Sequence, residues 1–474
     1  MNTSHIVGMV IAIGLIAGLA IYSGMSVKKG DGKTGSGVIM GLIMGTLVGG
    51  SSTVGTAQLA YNYGMSAWWF TLGGGIGCLV LALFYCVPLR RQNCATLVGA
   101  IRQEYGPAAG LAASVLNSVG TFINIISQLL AASAVVLVVW PALGNLWTVV
   151  ISAVFMALYV VFGGAKGAGM VGTLKMILLY LSMVVCGILA LRQFGGLGSL
   201  FSQVQALSAE TGVPYFSLFA QGVGTDLGSG ISLVLGVLTT QVYAQAVLSG
   251  RSDAAARRGA LLSGFLIPPI GVCGIVVGLF MRTVTDPTVF VAKTALTSFV
   301  LTYLPPLAGG LVLGTLFIAS IGTGAGLALG IATIVNRDIV QRFTSRFADA
   351  RRSERLSKLL IVAVLALGCA MSTGSLGDMI LSFGFMSMGL RGAVVFVPLC
   401  CALWAKGKIQ PGFALASILA GPILVLLFGT VLSGVLPFDS LFAGIIACVV
   451  IMGIGLAKGG RHGPVVPEEG SALG

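Results

Sequence analysis

Apolar runs of roughly 20 residues, the length a helix needs to cross a bilayer, recur along the whole chain, each parted from the next by a short polar tract. About thirteen segments fit: 4–24, 36–61, 66–89, 108–138, 146–163, 170–191, 228–248, 258–281, 309–336, 357–373, 377–404, 412–434 and 440–457. The pattern therefore predicts thirteen spanning helices. The first run, SHIVGMVIAIGLIAGLAIYSG, is read as a retained helix and not as a signal-peptide core. Its basic residues, Lys28, Lys29 and Lys33, follow it, and it is longer than a typical apolar signal segment.

The polar tracts set the frame, because Lys and Arg beside a span stay on the cytoplasmic side. Walking the loops alternately, one face collects Lys28, Lys29, Lys33, Arg90, Arg91, Arg102, Lys166, Arg251, Arg257, Arg258, the seven cations from Arg337 through Lys358, Lys406, Lys408, Lys458 and Arg461, which makes 21. The other face receives only Arg192, Arg282 and Lys293. One helix too many or too few would mix the two sets. The split predicts an outside N-terminus and a cytoplasmic C-terminus in a plasma membrane, of the bacterial inner-membrane kind. The two long outside loops, 192–227 and 282–308, carry apolar and aromatic residues and are expected to form either short lid-like helices or plain linkers. The segment FTSRFADARRSERLSK (343–358) reads as a solvated cytoplasmic helix.

Composition agrees with a membrane protein. Of 474 residues, 57% are hydrophobic and 8% charged, against about 25% charged in soluble domains. The net charge of +13 does not indicate nucleic acid, because the basic residues lie in scattered tracts and form no stripe. Eight of nine cysteines lie in apolar runs, where a thiol is a small hydrophobe. No paired C-x-x-C motif occurs, and His5 and His462 are both near the termini, so no metal cluster or cofactor is expected.

Ionisable groups inside a bilayer are costly and mark function. Asp226, Asp338 and Asp378 sit at predicted helix ends, and no carboxylate or histidine occupies the middle of a span. That disfavours a proton relay. Intramembrane hydrolysis is disfavoured too, since paired aspartates, HExxH and a Ser/His pair are missing; no catalytic residue is assigned. A sodium ion, by contrast, can be held by hydroxyls and unwound backbone carbonyls. Two places offer these. The second span carries Gly49, Gly50, Ser51, Ser52 and Thr53 at mid-membrane, read either as a break lining a site or, with Gly41 and Gly45, as a ridge of small residues for close packing. The ninth carries Ser320, Gly322, Thr323, Gly324 and Gly326. Asn124 and Gln128 share one face of the fourth span. Two cations remain: Lys175, read as about one turn inside its span and able to snorkel, and the more central Arg391, expected to face protein, water or an anion.

Several stretches together resemble the sodium:solute symporter family: VGGSSTVGTAQLAYNYGMSAWW (48–69), PLRRQNCATLVGAIRQEYG (88–106), YVVFGGAKGAGMVGTLKMILL (159–179), LTTQVYAQAVLSGRSDAAARRGALLSG (238–264) and ASIGTGAGLALGIATIVNRDIV (319–340). The resemblance implies an all-α polytopic membrane protein with a five-plus-five inverted-repeat (LeuT-type) core. Its parts would be a leading helix and loop (1–35), a first repeat (36–191), an outer loop (192–227), a second repeat (228–404) and two trailing helices with a tail (405–474). It implies symport of a small organic solute with sodium as coupling ion, and no enzymatic activity. The central sodium site would fall on the carbonyls of Gly45, Val48 and Ala319 and on the positions of Gly322 and Thr323. Thr323 matches and Gly322 does not, which leaves Ser320 or a water as a substitute. A second sodium needs an aspartate where this chain has Gly172, Thr173, Leu174 and Lys175, so none is inferred there. By the same analogy Ser51, Ser52, Gln128, Thr240 and Arg391 are candidate solute contacts. A channel, a proton-coupled or uncoupled permease and a membrane sensor on the same scaffold are the rival readings.

Overall fold

The computed structural model describes residues 2–26, 34–92, 94, 96–163, 168–340, 344, 349–372, 380–432, 435–436 and 438–459. Lys28, Lys29, Lys33, Lys166, Arg342, Arg346, Asp378, Arg461 and His462, used above to read the frame and the inventory, lie outside them, as do the side chains of Arg337, Asp338 and Arg351.

In chain order the helices are α1 (Thr3–Ser26), α2 (Ser36–Leu47), α3 (Thr56–Tyr63), α4 (Trp69–Val80), α5 (Cys86–Arg90), α6 (Leu97–Val139), α7 (Gly144–Gly163), α8 (Ala168–Phe194) and α9 (Leu197–Thr211). They continue as α10 (Val223–Thr239), α11 (Gln241–Leu248), α12 (Asp253–Val284), α13 (Ala295–Tyr303), α14 (Pro306–Ile334), α15 (Ala350–Ser372), α16 (Ile380–Trp404), α17 (Pro411–Leu426) and α18 (Ser440–Lys458). Among the described residues ten helices are long and apolar enough to cross a membrane, eleven when α10 and α11 count as one bent span; Thr3–Ile16 of α1 and Ser36–Leu47 of α2 are shorter apolar stretches. The continuous helical stretch Ser51–Arg90 covers parts of two of the expected runs. They are parted at Gly64, whose φ of 60° ends α3, a conformation open to glycine.

The chain is thus all-α and polytopic. Its buried centre is α6, whose first turn is capped by Thr96, the side chain accepting the Gly99 N–H at 2.8 Å. Gly106 (φ 88°), just before Pro107, kinks this helix, which is why the apolar run begins only at 108. Beyond the kink α6 packs along α16 and α14. Helix α1 lies along α14 through glycine: a Cβ on Gly310 would stand 2.1 Å from the His5 carbonyl oxygen. The long connections do carry short helices, α9 and α13. The charged stretch before the tenth run contributes the first turns of α15, where Glu354 and Lys358 form an exposed i, i+4 pair at 2.8 Å.

Candidate functional site

The helix begun by α2 stops at Leu47, and Val48 leaves it with φ −88° and ψ 91°. The side chains around the break explain why it stays open. In an unbroken helix the Gly49 and Gly50 amides would donate to the carbonyls of Gly45 and Thr46. Instead Gly49 N–H donates to Ser52 Oγ at 2.9 Å and Gly50 N–H to Gln128 Oε1 at 3.0 Å. The glycines matter sterically as well. A Cβ on Gly50 would meet Ser320 Oγ at 2.2 Å and Ala131 Cβ at 2.4 Å. Both sequence readings of this segment hold at different positions: the break lies at 48–50, and Gly41 and Gly45 form a packing ridge against Thr173 and Gly172 of α8.

Around the break lies a buried polar cluster. Gln128 Nε2 donates to Ser51 Oγ at 2.8 Å and to Asn124 Oδ1 at 3.3 Å. Ser51 Oγ and Ser127 Oγ are 2.7 Å apart, and Ser127 donates to the Ile380 carbonyl at 2.7 Å. Since each hydroxyl has one proton, Ser51 is the donor to Ser127. Ser51, Ser52 and Gln128 are therefore brought together, tying α2–α3 to α6 and to the start of α16. Ser127 was not singled out in the sequence; one serine beside a glutamine in a small-residue run gives no signal of its own.

A second break lies at Thr240, whose extended backbone (φ −86°, ψ 121°) separates α10 from α11 with a 47° bend. Arg391 of α16 is buried there. Its Nη1 donates to Thr240 Oγ1 at 2.8 Å, its Nε to the Ser387 carbonyl at 3.1 Å and its Nη2 to Ser387 Oγ at 3.0 Å. Thr240 and Arg391 thus pair, as expected of a cation facing protein, but apart from the Gln128 cluster. Arg391 packs at Gly120, eight residues or about 12 Å along α6 from Gln128.

The residues assigned to sodium divide differently. Thr323 Oγ1 donates to the Ala319 carbonyl at 2.9 Å and faces the break. Ser320 donates to Leu316 of its own helix at 2.9 Å and lies against Gly50. A Cβ at Gly322 would stand 3.5 Å from the Tyr159 hydroxyl oxygen and 3.6 Å from its ring. The largest correction concerns Lys175. It does not snorkel: it is 5% exposed, and its Nζ donates to the Gly45 carbonyl at 2.7 Å and to Thr323 Oγ1 at 2.6 Å. The expected lack of mid-membrane carboxylates is consistent with the described spans, although Asp226 is fully buried in the first turns of α10, bonded by Ser66 and Gln221.

Two interrupted helices face buried polar groups inside an all-helical membrane core, the arrangement in which secondary transporters hold solutes and ions. The profile of the sodium:solute symporter family matches residues 31–421. The chain belongs to that family, whose members couple solute transport to sodium. It is 23% identical over 421 residues to the high affinity choline transporter 1 of Homo sapiens, covering 85% of this chain and 71% of the relative. It is 21% identical over 486 residues to the sodium/pantothenate symporter of Escherichia coli (strain K12), covering 96% and 97%. The structure of a Na+-coupled sialic acid symporter, solved in a substrate-bound outward-open state, superposes with a TM-score of 0.77 at 16% identity, covering 98% of this chain and 99% of that one. The LeuT-type fold expected from the sequence is thereby established. The Gly45 carbonyl and the Thr323 hydroxyl, expected from the sequence to serve sodium, here accept hydrogen bonds from Lys175 Nζ.

Proposed function

We propose that the chain imports a small organic solute across a plasma membrane by alternating access. The N-terminus would be outside and the C-terminus cytoplasmic, as the 21 to 3 split of loop cations argues. Segments 36–191 and 228–404 act as the two inverted repeats, each beginning with its own interrupted helix, with 1–35, 192–227 and 405–474 as the flanking and connecting parts. The observation that carries the reading is the break at Val48–Gly50, held open by Ser52 and Gln128 instead of by its own helix. Backbone polar groups released inside a membrane are tolerated where they line a cavity or meet protein partners. Ser51, Ser52 and Gln128 are the first solute contacts, and Thr240 with Arg391 a second pair on the path. Arg391 and Lys175 are buried basic side chains whose hydrogen-bond partners here are neutral, which favours a solute bearing a carboxylate.

A permease of the same scaffold that takes no sodium at the central site is a second reading, favoured by the position of Lys175. The experiment is a melting screen of organic acids, amino acids and sugars, followed by uptake of each hit into proteoliposomes. Gln128→Ala is expected to abolish the solute-induced melting shift. A panel in which no solute shifts melting or accumulates would sink the transporter reading, as would a shift indifferent to Gln128.

A further inference from the structure

Lys175 stands at the start of the third turn of α8, and its ammonium bridges two other helices: Gly45 of α2 at 2.7 Å and Thr323 of α14 at 2.6 Å. Three local features build this position. The Gly45 carbonyl is released because its helical donor, the Gly49 amide, is taken by Ser52. It therefore projects from the last turn of α2, where unpaired carbonyls and the helix dipole favour a cation. Glycine then brings α8 close: a Cβ on Gly45 would stand 2.8 Å from the Gly172 Cα and carbonyl oxygen, and one on Gly172 3.1 Å from the Gly41 carbonyl oxygen. The lysine stem has only a short gap to cross. Finally, Thr323 gives its own proton to Ala319, so its oxygen is an acceptor on the side facing the ammonium.

These are the oxygens that a monovalent cation would use, one carbonyl and one hydroxyl on the two helices that the family's sodium joins. A second cation on these oxygens would sit directly against the first. Two unit charges 4 Å apart repel by about 4 kcal/mol at an effective dielectric of 20, before the loss of the ammonium's two oxygens is counted. Gly322 removes a further hydroxyl from the set. Among the described residues, the ion pairs are Arg90–Asp253 and Lys358–Glu354, so no carboxylate balances Lys175.

We propose that Lys175 is a tethered cation that fills the central cation site, joins α2 to α14 and excludes sodium from it. The proposal rests on the transporter reading of the two broken helices and changes which cation does the joining. The test is the melting temperature of the purified full-length protein, titrated with sodium against potassium at matched ionic strength. The wild type is expected to show no sodium-specific, saturable shift that depends on Thr323. The Lys175→Ala/Gly322→Ser double variant, which vacates the oxygens and restores a hydroxyl, is expected to gain one, with sodium binding at least tenfold tighter than in the wild type. A saturable sodium shift in the wild type that Thr323→Ala abolishes would overturn the proposal. So would a folded double variant that ignores sodium. A wild-type sodium shift that survives Thr323→Ala places the ion elsewhere and agrees with it. Should the double variant not fold, the wild type and Thr323→Ala decide alone. Melting responds to ion binding whether or not any solute is transported, so a failed uptake screen sinks the transporter reading and leaves this result distinguishable.

Discussion

Arg391 donates to the hydroxyl of Thr240 at the break between α10 and α11, and Thr240 in turn donates to the Gly236 carbonyl one turn back. The other break has the same plan: Lys175 donates to Gly45, one turn before the interruption at Gly49. Each interrupted helix thus has a buried cation at the carbonyl end of its first segment, supplied by a helix some 130 to 150 residues later, α8 in one case and α16 in the other. The negative end of each half-helix is answered by a side chain.

Arg391→Lys is expected to impair both stability and uptake despite conserving charge. A lysine has three donors on one nitrogen and cannot reproduce the planar fork that serves Thr240 and Ser387 together. The loss should be about 1.5–3 kcal/mol for a charge-assisted bond. Melting of the solute-free protein measures it, and a variant indistinguishable from wild type would refute the role given to the guanidinium.

Ser52→Ala leaves the Gly49 amide with two options. It either stays unsatisfied, at about 1–3 kcal/mol for a buried donor, or returns to Gly45 in competition with Lys175. In both cases the solute-induced melting shift should shrink, while Ser52→Thr, which keeps a hydroxyl, should retain most of it.

Gly50→Ala tests the close approach of the break to α14 and α6. Its methyl would fall 2.2 Å from Ser320 Oγ and 2.4 Å from Ala131 Cβ. Overpacking of this kind costs about 1–3 kcal/mol, and uptake should fall further than melting because the break itself is displaced. Gly14→Ala, with nothing within 4 Å of its Cβ, serves as the control and should leave both unchanged.

Asp439 gives a pH signature outside the spans. Its carboxylate caps α18, accepting the Leu441 N–H at 2.8 Å, yet burial raises its pKa while that bond lowers it less. A carboxyl whose folded pKa is raised adds stability that is fully present below its unfolded pKa and is lost as pH rises through the folded value. Asp439→Asn, which keeps a capping oxygen and does not titrate, should therefore match or exceed the wild type at pH 8 and lose that advantage in mild acid. Asp439→Ala should be less stable throughout by about 0.5–2 kcal/mol, the usual loss of a cap. Melting curves at the two pH values check the crossing.

Much of this was legible in the chain. Among the described residues ten of the helices, or eleven with the bent pair α10–α11, carry enough hydrophobic length to span, and the break in the second run was visible as paired glycines beside three hydroxyls. The kink at Gly106 was not, since the Tyr-Gly-Pro sequence looks like an ordinary loop end while the helix resumes after it. Lys175 was placed by its distance from the end of an apolar run, which measures depth along one helix and ignores what packs against it. The stronger signal lay on two segments at once: glycines at 41 and 45 and another at 172, three residues before the lysine. Only contact between the helices turns that pattern into an ammonium on Gly45. Gly322 was read by register as a missing hydroxyl; register does not give the direction of a side chain there, and a Cβ would stand 3.5 Å from the Tyr159 hydroxyl oxygen.

A cation fixed to the chain also alters what the membrane voltage acts upon. A bound ion that enters on one side and leaves on the other carries its charge through the field in every cycle, at ~2.3 kcal/mol per charge for each 100 mV. The charge of Lys175 is returned with the empty carrier. This site then adds no ion charge to a turnover, so the current in voltage-clamped membranes would report the charge of the solute together with that of any ion bound elsewhere.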